Sequence, residues 1–78
     1  MTQKEIYKKQ IAIRSDYQYV VDYDGNKIYG FFDLNDDEST KKDNIWNFIK
    51  FGKEITERTS VKIDGNKITK IVIEKRKI

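Results

Sequence analysis

The segment VDYDGNKI at residues 21–28 returns as VKIDGNKI at residues 61–68, with six of the eight positions identical. Both copies place Asp-Gly-Asn between runs of β-branched and aromatic residues. Asn and Gly tolerate the positive φ angles of tight turns, so this pattern is the strongest local signal for a β-hairpin. The sequence therefore predicts two hairpins joined by a linking segment, and the turn tips need no ligand to explain them.

The first copy also predicts a strand register. A two-residue type I′ turn at Asp24 and Gly25 pairs residues 17–23 with residues 26–32 and sets Asp22 opposite Lys27. Gly30 interrupts the second strand, which indicates a bulge or the close approach of a neighbouring group. One apolar face of this hairpin then gathers the side chains of Tyr17, Tyr19, Val21, Ile28 and Phe32.

Periodicity assigns the remaining segments. Residues 10–14 alternate like a short strand, and residues 4–9 fit a helical turn or a loose end. Residues 40–51 carry a broad apolar stripe after a Ser-Thr cap, which predicts a helix, although residues 45–49 also alternate like a strand. The second hairpin is expected to use a three-residue loop, because a two-residue loop would oppose Lys62 and Lys67.

The predicted fold is α+β, a small antiparallel sheet of about five strands in the order β-ββ-α-ββ with one helix packed on one face. If residues 44–58 are strands instead of a helix, the alternative is a small all-β barrel of the SH3 or Sm type. A chain of 78 residues accommodates a single domain, residues 1–78.

Composition sets the expected environment of the chain. It contains no cysteine, which fits a reducing compartment, and its charged first ten residues lack the apolar run of a signal peptide. No stretch approaches 18 consecutive apolar residues, so no membrane span is expected. We expect a cytoplasmic protein. Frequent Lys, Ile, Asn and Tyr, which have AT-rich codons, favour an origin in a low-GC bacterium or one of its mobile elements.

Residue types argue against catalysis and against bound metals or cofactors. The chain has neither His nor Cys, so the usual neutral-pH base and the thiolate nucleophile are both missing. Asp33, Asn35 and Asp37 match the first ligand positions of an EF-hand loop. The position that requires Gly is Glu38, however, and the position that requires a bidentate Glu is Asn44. We expect no enzyme activity, no metal and no cofactor.

Charge is distributed unevenly along the chain. Residues 16–38 contain seven carboxylates against one lysine, whereas residues 39–78 contain eleven basic and five acidic residues. A polyanion is repelled by such an acidic segment, so nucleic acid is a weaker expectation than protein. The acidic part of the linking segment is a candidate binding loop, made by Asp33, Asp36, Asp37 and Glu38.

One helix covers only one face of a sheet, which leaves a second candidate surface. Its residues are Val20, Tyr29 and Phe31, on the face of the first hairpin opposite its main apolar face. These side chains predict a surface for protein–protein interaction, of the adaptor or inhibitor type, or for self-association into a homo-oligomer. The alternative is a nucleic-acid-binding module that stacks bases on the aromatic rings.

Overall fold

The computed structural model describes residues 1–9, 16–33, 43–54 and 56–76. Within these ranges the chain forms a short helix, five strands and a 3₁₀ turn. They are α1 (Gln3–Lys9), β1 (Tyr17–Tyr23), β2 (Asn26–Phe32), β3 (Ile45–Phe51), β4 (Arg58–Asp64), the 3₁₀ turn (Gly65–Lys67) and β5 (Ile68–Lys75). The strand predicted at residues 10–14 lies outside the described residues.

The five strands form one antiparallel sheet in the order β4-β3-β2-β1-β5. Strands β1 to β3 each pair with the next strand along the chain, and β5 returns to pair with β1. The α+β class, the five-stranded sheet and the single helix on one face are thus confirmed. The sheet does not close into a barrel, because β4 and β5 form its two edges and do not pair with each other.

The first hairpin has the predicted register. Val21 lies opposite Ile28 and Tyr23 opposite Asn26, and the turn residues Asp24 and Gly25 have φ angles of 48° and 85°. Both angles are positive, as a type I′ turn requires. Lys27 Nζ lies 3.8 Å from the Asp22 carboxylate, the cross-strand ion pair that the register implies.

The second copy of the motif does not form a hairpin, and this prediction is wrong. Asp64 keeps an extended conformation, and its side chain accepts a hydrogen bond of 2.9 Å from the Asn66 nitrogen. The following residues form the 3₁₀ turn, which carries the chain from one edge of the sheet to the other. Lys62 and Lys67 therefore do not lie opposite each other, and the like-charge repulsion that a two-residue hairpin would have created is avoided.

The helix predicted within residues 40–51 is also wrong: Ile45–Phe51 is strand β3. Trp46 and Phe48 point into the core, opposite Ile63 and Val61 of β4. The apolar residues on the other side of the strand made the pattern resemble a helical stripe. Asn44, just before the strand, has a φ angle of 58°, which a right-handed helix does not allow.

The helix of this fold lies at Gln3–Lys9 instead, where a capping box starts it. The Thr2 hydroxyl accepts from the Glu5 nitrogen at 3.2 Å, and the Glu5 carboxylate accepts from the Thr2 nitrogen at 3.2 Å. Ile6 is fully buried and fastens the helix to the sheet. The core face of the sheet beneath it is rich in aromatic rings, packed edge to face: Tyr19, Phe32, Trp46 and Phe48.

Gly30 lets β2 and β3 approach each other closely. A Cβ atom there would overlap the carbonyl oxygen of Ile49 and lie 2.9 Å from its carbonyl carbon. The sequence predicted either a bulge or the close approach of a neighbouring group at this glycine, and the second explanation is correct.

Asn44 joins three parts of the fold. Its side-chain oxygen accepts from the Trp46 indole nitrogen at 2.8 Å, and its side-chain nitrogen donates to the Met1 carbonyl at 2.9 Å. Because an indole N–H can only donate, the amide oxygen must face Trp46. The Gly65 nitrogen donates to the Asn44 carbonyl at 2.8 Å. One residue thus ties the start of α1, strand β3 and the 3₁₀ turn together.

Because of the capping box, we expect the stability of the fold to decrease at acid pH. Hydrogen bonds from the backbone and hydroxyl of Thr2 lower the pKa of Glu5 below its ordinary value of 4.5. A lowered folded-state pKa stabilises the fold above the ordinary pKa, and the contribution is lost as the pH falls through the folded value. We expect Glu5→Gln to melt at a lower temperature than the wild type at pH 7, with the difference shrinking as the pH falls below 4.5 and through the lowered folded-state pKa. A melting-temperature difference that does not shrink on acidification would contradict a role for the carboxylate.

Candidate binding surface

The sheet surface opposite α1 is called the open face here. Its middle is an apolar row across three strands, in which Val20 of β1 lies between Tyr29 of β2 and Val72 of β5. Tyr29 is 40% exposed and Val72 is 37% exposed, whereas Val20 between them is only 3% exposed. The row therefore presents its two ends to solvent and buries its centre.

Beside this row, two arginines lie over two phenylalanines. The rings of Phe31 and Phe51 meet edge to face with centroids 5.2 Å apart. The guanidinium carbon of Arg58 lies 4.7 Å from the Phe51 centroid and 5.6 Å from that of Phe31. The guanidinium carbon of Arg76 lies 4.2 Å from the Phe51 centroid. These four residues are named the arginine–phenylalanine cluster.

The cluster shows that the open face is concave. Arg76 directly follows the edge strand β5, whereas Phe51 belongs to β3, and two strands lie between them. A flat sheet would hold these residues too far apart for contact, since neighbouring strands are about 4.8 Å apart. The curl of the sheet brings them together.

This curvature corrects the predicted exposed surface. Val20, Tyr29 and Phe31 do share the open face, as predicted. Only Tyr29 is exposed, however, because Phe31 is half-buried under Arg58 and against Phe51, and Val20 is buried in the concave middle. Sequence patterns assign residues to faces but carry no information about sheet curvature.

The edge strand β5 carries a second exposed feature, which sequence reasoning missed. The Arg76 nitrogen donates to the Asp16 carbonyl at 2.7 Å, and hydrogen-bonded pairs alternate along an antiparallel ladder. The backbone groups of Ile71, Ile73 and Lys75 therefore point away from β1, toward an edge with which no strand of the described residues pairs. Val72 and Ile73 are each 37% exposed, one on each face of this edge.

The missed signal was the strand ITKIVIEK itself, residues 68–75. It has apolar residues on both faces and would suit a strand in the middle of a sheet. The predicted hairpin with residues 61–63 gave no indication that this strand lies at an edge of the sheet. Its edge position follows from its observed pairing with β1 alone.

Most of the candidate acidic loop lies outside the described residues, including Asp36, Asp37 and Glu38. Asp33 is described, half-buried at the end of β2, where its nitrogen donates to the Asn47 carbonyl at 3.0 Å. Within the described ranges, no group of three or more metal-binding side chains comes together. Among the same residues, no helix has the length and apolar character needed to cross a membrane.

The open face carries charged side chains of both signs. Its carboxylates have partners within the protein: Asp22 pairs with Lys27, and Glu74 accepts from the Gln18 amide at 3.2 Å. In contrast, no carboxylate of the described residues forms an ion pair with Arg58. The positive charge of this arginine is directed toward a ring and toward solvent.

Comparisons of the chain with protein-family models, with curated proteins and with solved structures find no match. Inference about function therefore rests on the geometry of the open face and of the β5 edge.

Proposed function

We propose that the protein is a small non-enzymatic binding protein that takes up an extended segment of a protein partner as an added strand along β5. One observation carries the proposal: the outward backbone groups of Ile71, Ile73 and Lys75 are flanked by the exposed side chains of Val72 and Ile73. Strand addition uses just these two elements, main-chain hydrogen bonds for affinity and alternating side chains for specificity.

The apolar row extends this edge onto the open face. A partner strand beside β5 would lie next to Val72, and Tyr29, two strands further along the row, continues the apolar surface. Burial of apolar surface contributes about 25 cal/mol per Å², so three partly exposed side chains support only modest affinity. We expect a transient complex with a dissociation constant on the order of micromolar, typical of small interfaces.

Nucleic acid is the weaker candidate because arginine side chains already cover two aromatic rings of the open face. Base stacking requires an open ring face, but the guanidinium groups of Arg58 and Arg76 already lie over Phe51, and Arg58 also lies over Phe31. Tyr29 is the remaining exposed ring of the predicted surface. The absence of cysteine from the chain is compatible with the cytoplasmic location that we include in the proposal.

The test is a selection of binders from a random 12-residue peptide library, followed by affinity measurements on two variants at one position. Ile73→Pro removes an outward N–H while leaving the ladder to β1 intact, because proline is tolerated where a strand edge faces solvent. Ile73→Thr removes a similar apolar surface but keeps the N–H. We expect selected peptides to bind Ile73→Pro at least tenfold more weakly than Ile73→Thr. Amide exchange at Ile73 and Lys75 should slow when peptide binds.

Other outcomes would overturn the proposal. Equal binding of peptides to both variants would remove the backbone edge from the interaction. A salt-sensitive gel shift with single-stranded DNA or RNA, together with an empty peptide selection, would favour the nucleic-acid alternative. A stable oligomer in light scattering that Ile73→Pro converts to monomer would mean that a second copy of the chain occupies this edge.

A further inference from the structure

We infer that the partner segment runs antiparallel to β5 and carries a basic, an apolar and an acidic residue at alternate positions, in this order from its N-terminal side. The inference rests on the proposed function and adds to it the chemistry of the partner. The observation behind it is a set of three exposed side chains that β5 places at the edge of the open face: Lys70, Val72 and Glu74.

Lys70 is the last of three charged residues in a row across the sheet. Asp22 of β1 lies opposite Lys27 of β2 on one side and opposite Lys70 of β5 on the other. The Asp22 carboxylate forms its ion pair with Lys27, and no carboxylate of the described residues forms one with Lys70. The exposed ammonium group of Lys70 can therefore attract an acidic side chain from a strand added at the edge.

Glu74 brings the opposite charge to the same edge. It lies opposite Gln18, and its carboxylate accepts a hydrogen bond from the Gln18 side-chain nitrogen at 3.2 Å. The amide donor is neutral, so this bond leaves the negative charge of Glu74 uncompensated. Within the part of the chain that the structure describes, no cation forms an ion pair with Glu74, which is exposed. A basic side chain on the added strand would supply the missing charge.

The strand register determines the order of the partner's residues. The outward backbone groups of Ile71 and Ile73 make the hydrogen bonds to an added strand, so the positions opposite Lys70, Val72 and Glu74 form non-hydrogen-bonded pairs. Side chains lie closest in such pairs, and antiparallel pairing is slightly more stable than parallel pairing. An antiparallel segment passes Glu74 first and Lys70 last. Its order is therefore basic, apolar and acidic.

A second copy of the chain is the competing occupant of this edge. Residues 70–74 read Lys-Ile-Val-Ile-Glu and have the inferred order themselves, so two copies of β5 could pair about Val72. Each copy carries a formal net charge of +3, however, and the repulsion between them disfavours this pairing relative to a partner segment without excess positive charge.

The experiment selects peptides from the same random library on the full-length wild type and on the double variant Lys70→Glu/Glu74→Lys, which exchanges the two edge charges. Peptides selected on the wild type should have the order basic, apolar, acidic, and those selected on the double variant the reverse order. Each protein should bind the other's peptides about fivefold more weakly than its own. Lys70→Gln should also weaken the wild-type peptides, and it remains a test if the double variant does not fold.

Lys62→Glu is the matched control for the single variant Lys70→Glu. It makes the same change of charge on β4, the other edge strand, where Lys62 is exposed on the same face. Lys70→Glu should weaken binding of the wild-type peptides about fivefold, whereas Lys62→Glu should leave it within about twofold.

The failures of the inference and of the proposed function are distinguishable. Peptides that distinguish Ile73→Pro from Ile73→Thr but bind the wild type and the double variant equally would refute the charge pattern and leave the strand site standing. Selected peptides in the reverse order on the wild type would overturn the antiparallel direction. An empty selection, with a dimer in light scattering that Lys70→Glu dissociates, would overturn both proposals and assign the edge to a second copy.

Discussion

Replacing Gly30 with Ala is expected to leave the protein largely unfolded. The new Cβ would overlap the carbonyl oxygen of Ile49, a backbone atom that cannot move without breaking the ladder between β2 and β3. Such an overlap belongs to the rare substitutions that cost about 4 kcal/mol or more. A small domain has a total stability of only about 5 kcal/mol. Circular dichroism and urea unfolding followed by Trp46 fluorescence would measure the loss.

Gly52→Ala is the matched control for this prediction. Its Cβ would meet the side chain of Glu57, which can rotate away because it is exposed and flexible. The expected change in the free energy of unfolding is within about 0.5 kcal/mol. Similar stabilities for the two variants would mean that the close approach of β2 and β3 at Gly30 does not exist.

The second large effect is expected at Asn44, where substitution by Ala should cost about 3 kcal/mol. The buried indole N–H of Trp46 and the Met1 carbonyl would lose their partners, and an unsatisfied buried polar group costs about 1–3 kcal/mol. The φ angle of 58° adds strain, because alanine in the left-handed region costs about 1–2 kcal/mol. Urea unfolding would give the free-energy difference.

Asn44→Gly separates the two contributions. Glycine adopts the left-handed conformation freely, so this variant loses only the side-chain hydrogen bonds. We expect it to be destabilised by about 2 kcal/mol, less than Asn44→Ala but well beyond the effect of a surface substitution. If Asn44→Gly matched the wild type, the hydrogen bonds to Trp46 and Met1 would carry no stability.

The part of the fold that local patterns predict well is the first hairpin. Its turn type, its register and its Asp22–Lys27 pair all follow from eight consecutive residues. They are predictable because each depends on φ preferences and side-chain alternation within the segment itself. The broader class, a five-stranded sheet with one helix, was also predicted, although the prediction placed the helix within residues 40–51 and counted residues 10–14 as a strand.

The second copy shows where such local reasoning ends. The same four residues, Asp-Gly-Asn-Lys, contain the type I′ turn at Asp24 and Gly25 in the first copy, whereas in the second copy Asp64 precedes the 3₁₀ turn Gly65–Lys67. The flanking residues differ in one informative way, because Asp22 attracts Lys27 whereas Lys62 would repel Lys67. The opposition of Lys62 and Lys67 is thus a signal against the second hairpin as a whole, and not only against a two-residue loop.

The misplaced helix has a similar explanation. Residues 45–49 do alternate like a strand, but apolar residues on both faces of Ile45–Phe51 also produce a stripe typical of a helix, and the helix was the prediction. Pairing with neighbours on both sides decides the outcome, and pairing is not a local property. The true helix carried the signature Thr2-x-x-Glu5, a capping box that precedes the buried Ile6.

The candidate surface was only partly predictable for the same reason. The face shared by Val20, Tyr29 and Phe31 follows from alternation, which is local. The arginine–phenylalanine cluster unites residues from three distant parts of the chain, and it exists only because the sheet curls. No pattern in the sequence indicates that Arg58 and Arg76 approach the same ring.

The return of β5 to β1 determines when the proposed binding edge comes into existence during folding. Strands β1 to β4 pair with sequence neighbours, whereas β5 must find a partner more than half of the chain away, as in the pairing of Tyr17 with Lys75. Closing such a long loop has a large entropic cost, so contacts of this kind form late and slow folding. Before that step, β1 is the unpaired edge and β5 presents no ordered backbone. If β5 binds a partner as proposed, the binding edge exists only after the event that completes the sheet, and we expect a partly folded molecule not to engage the partner at β5.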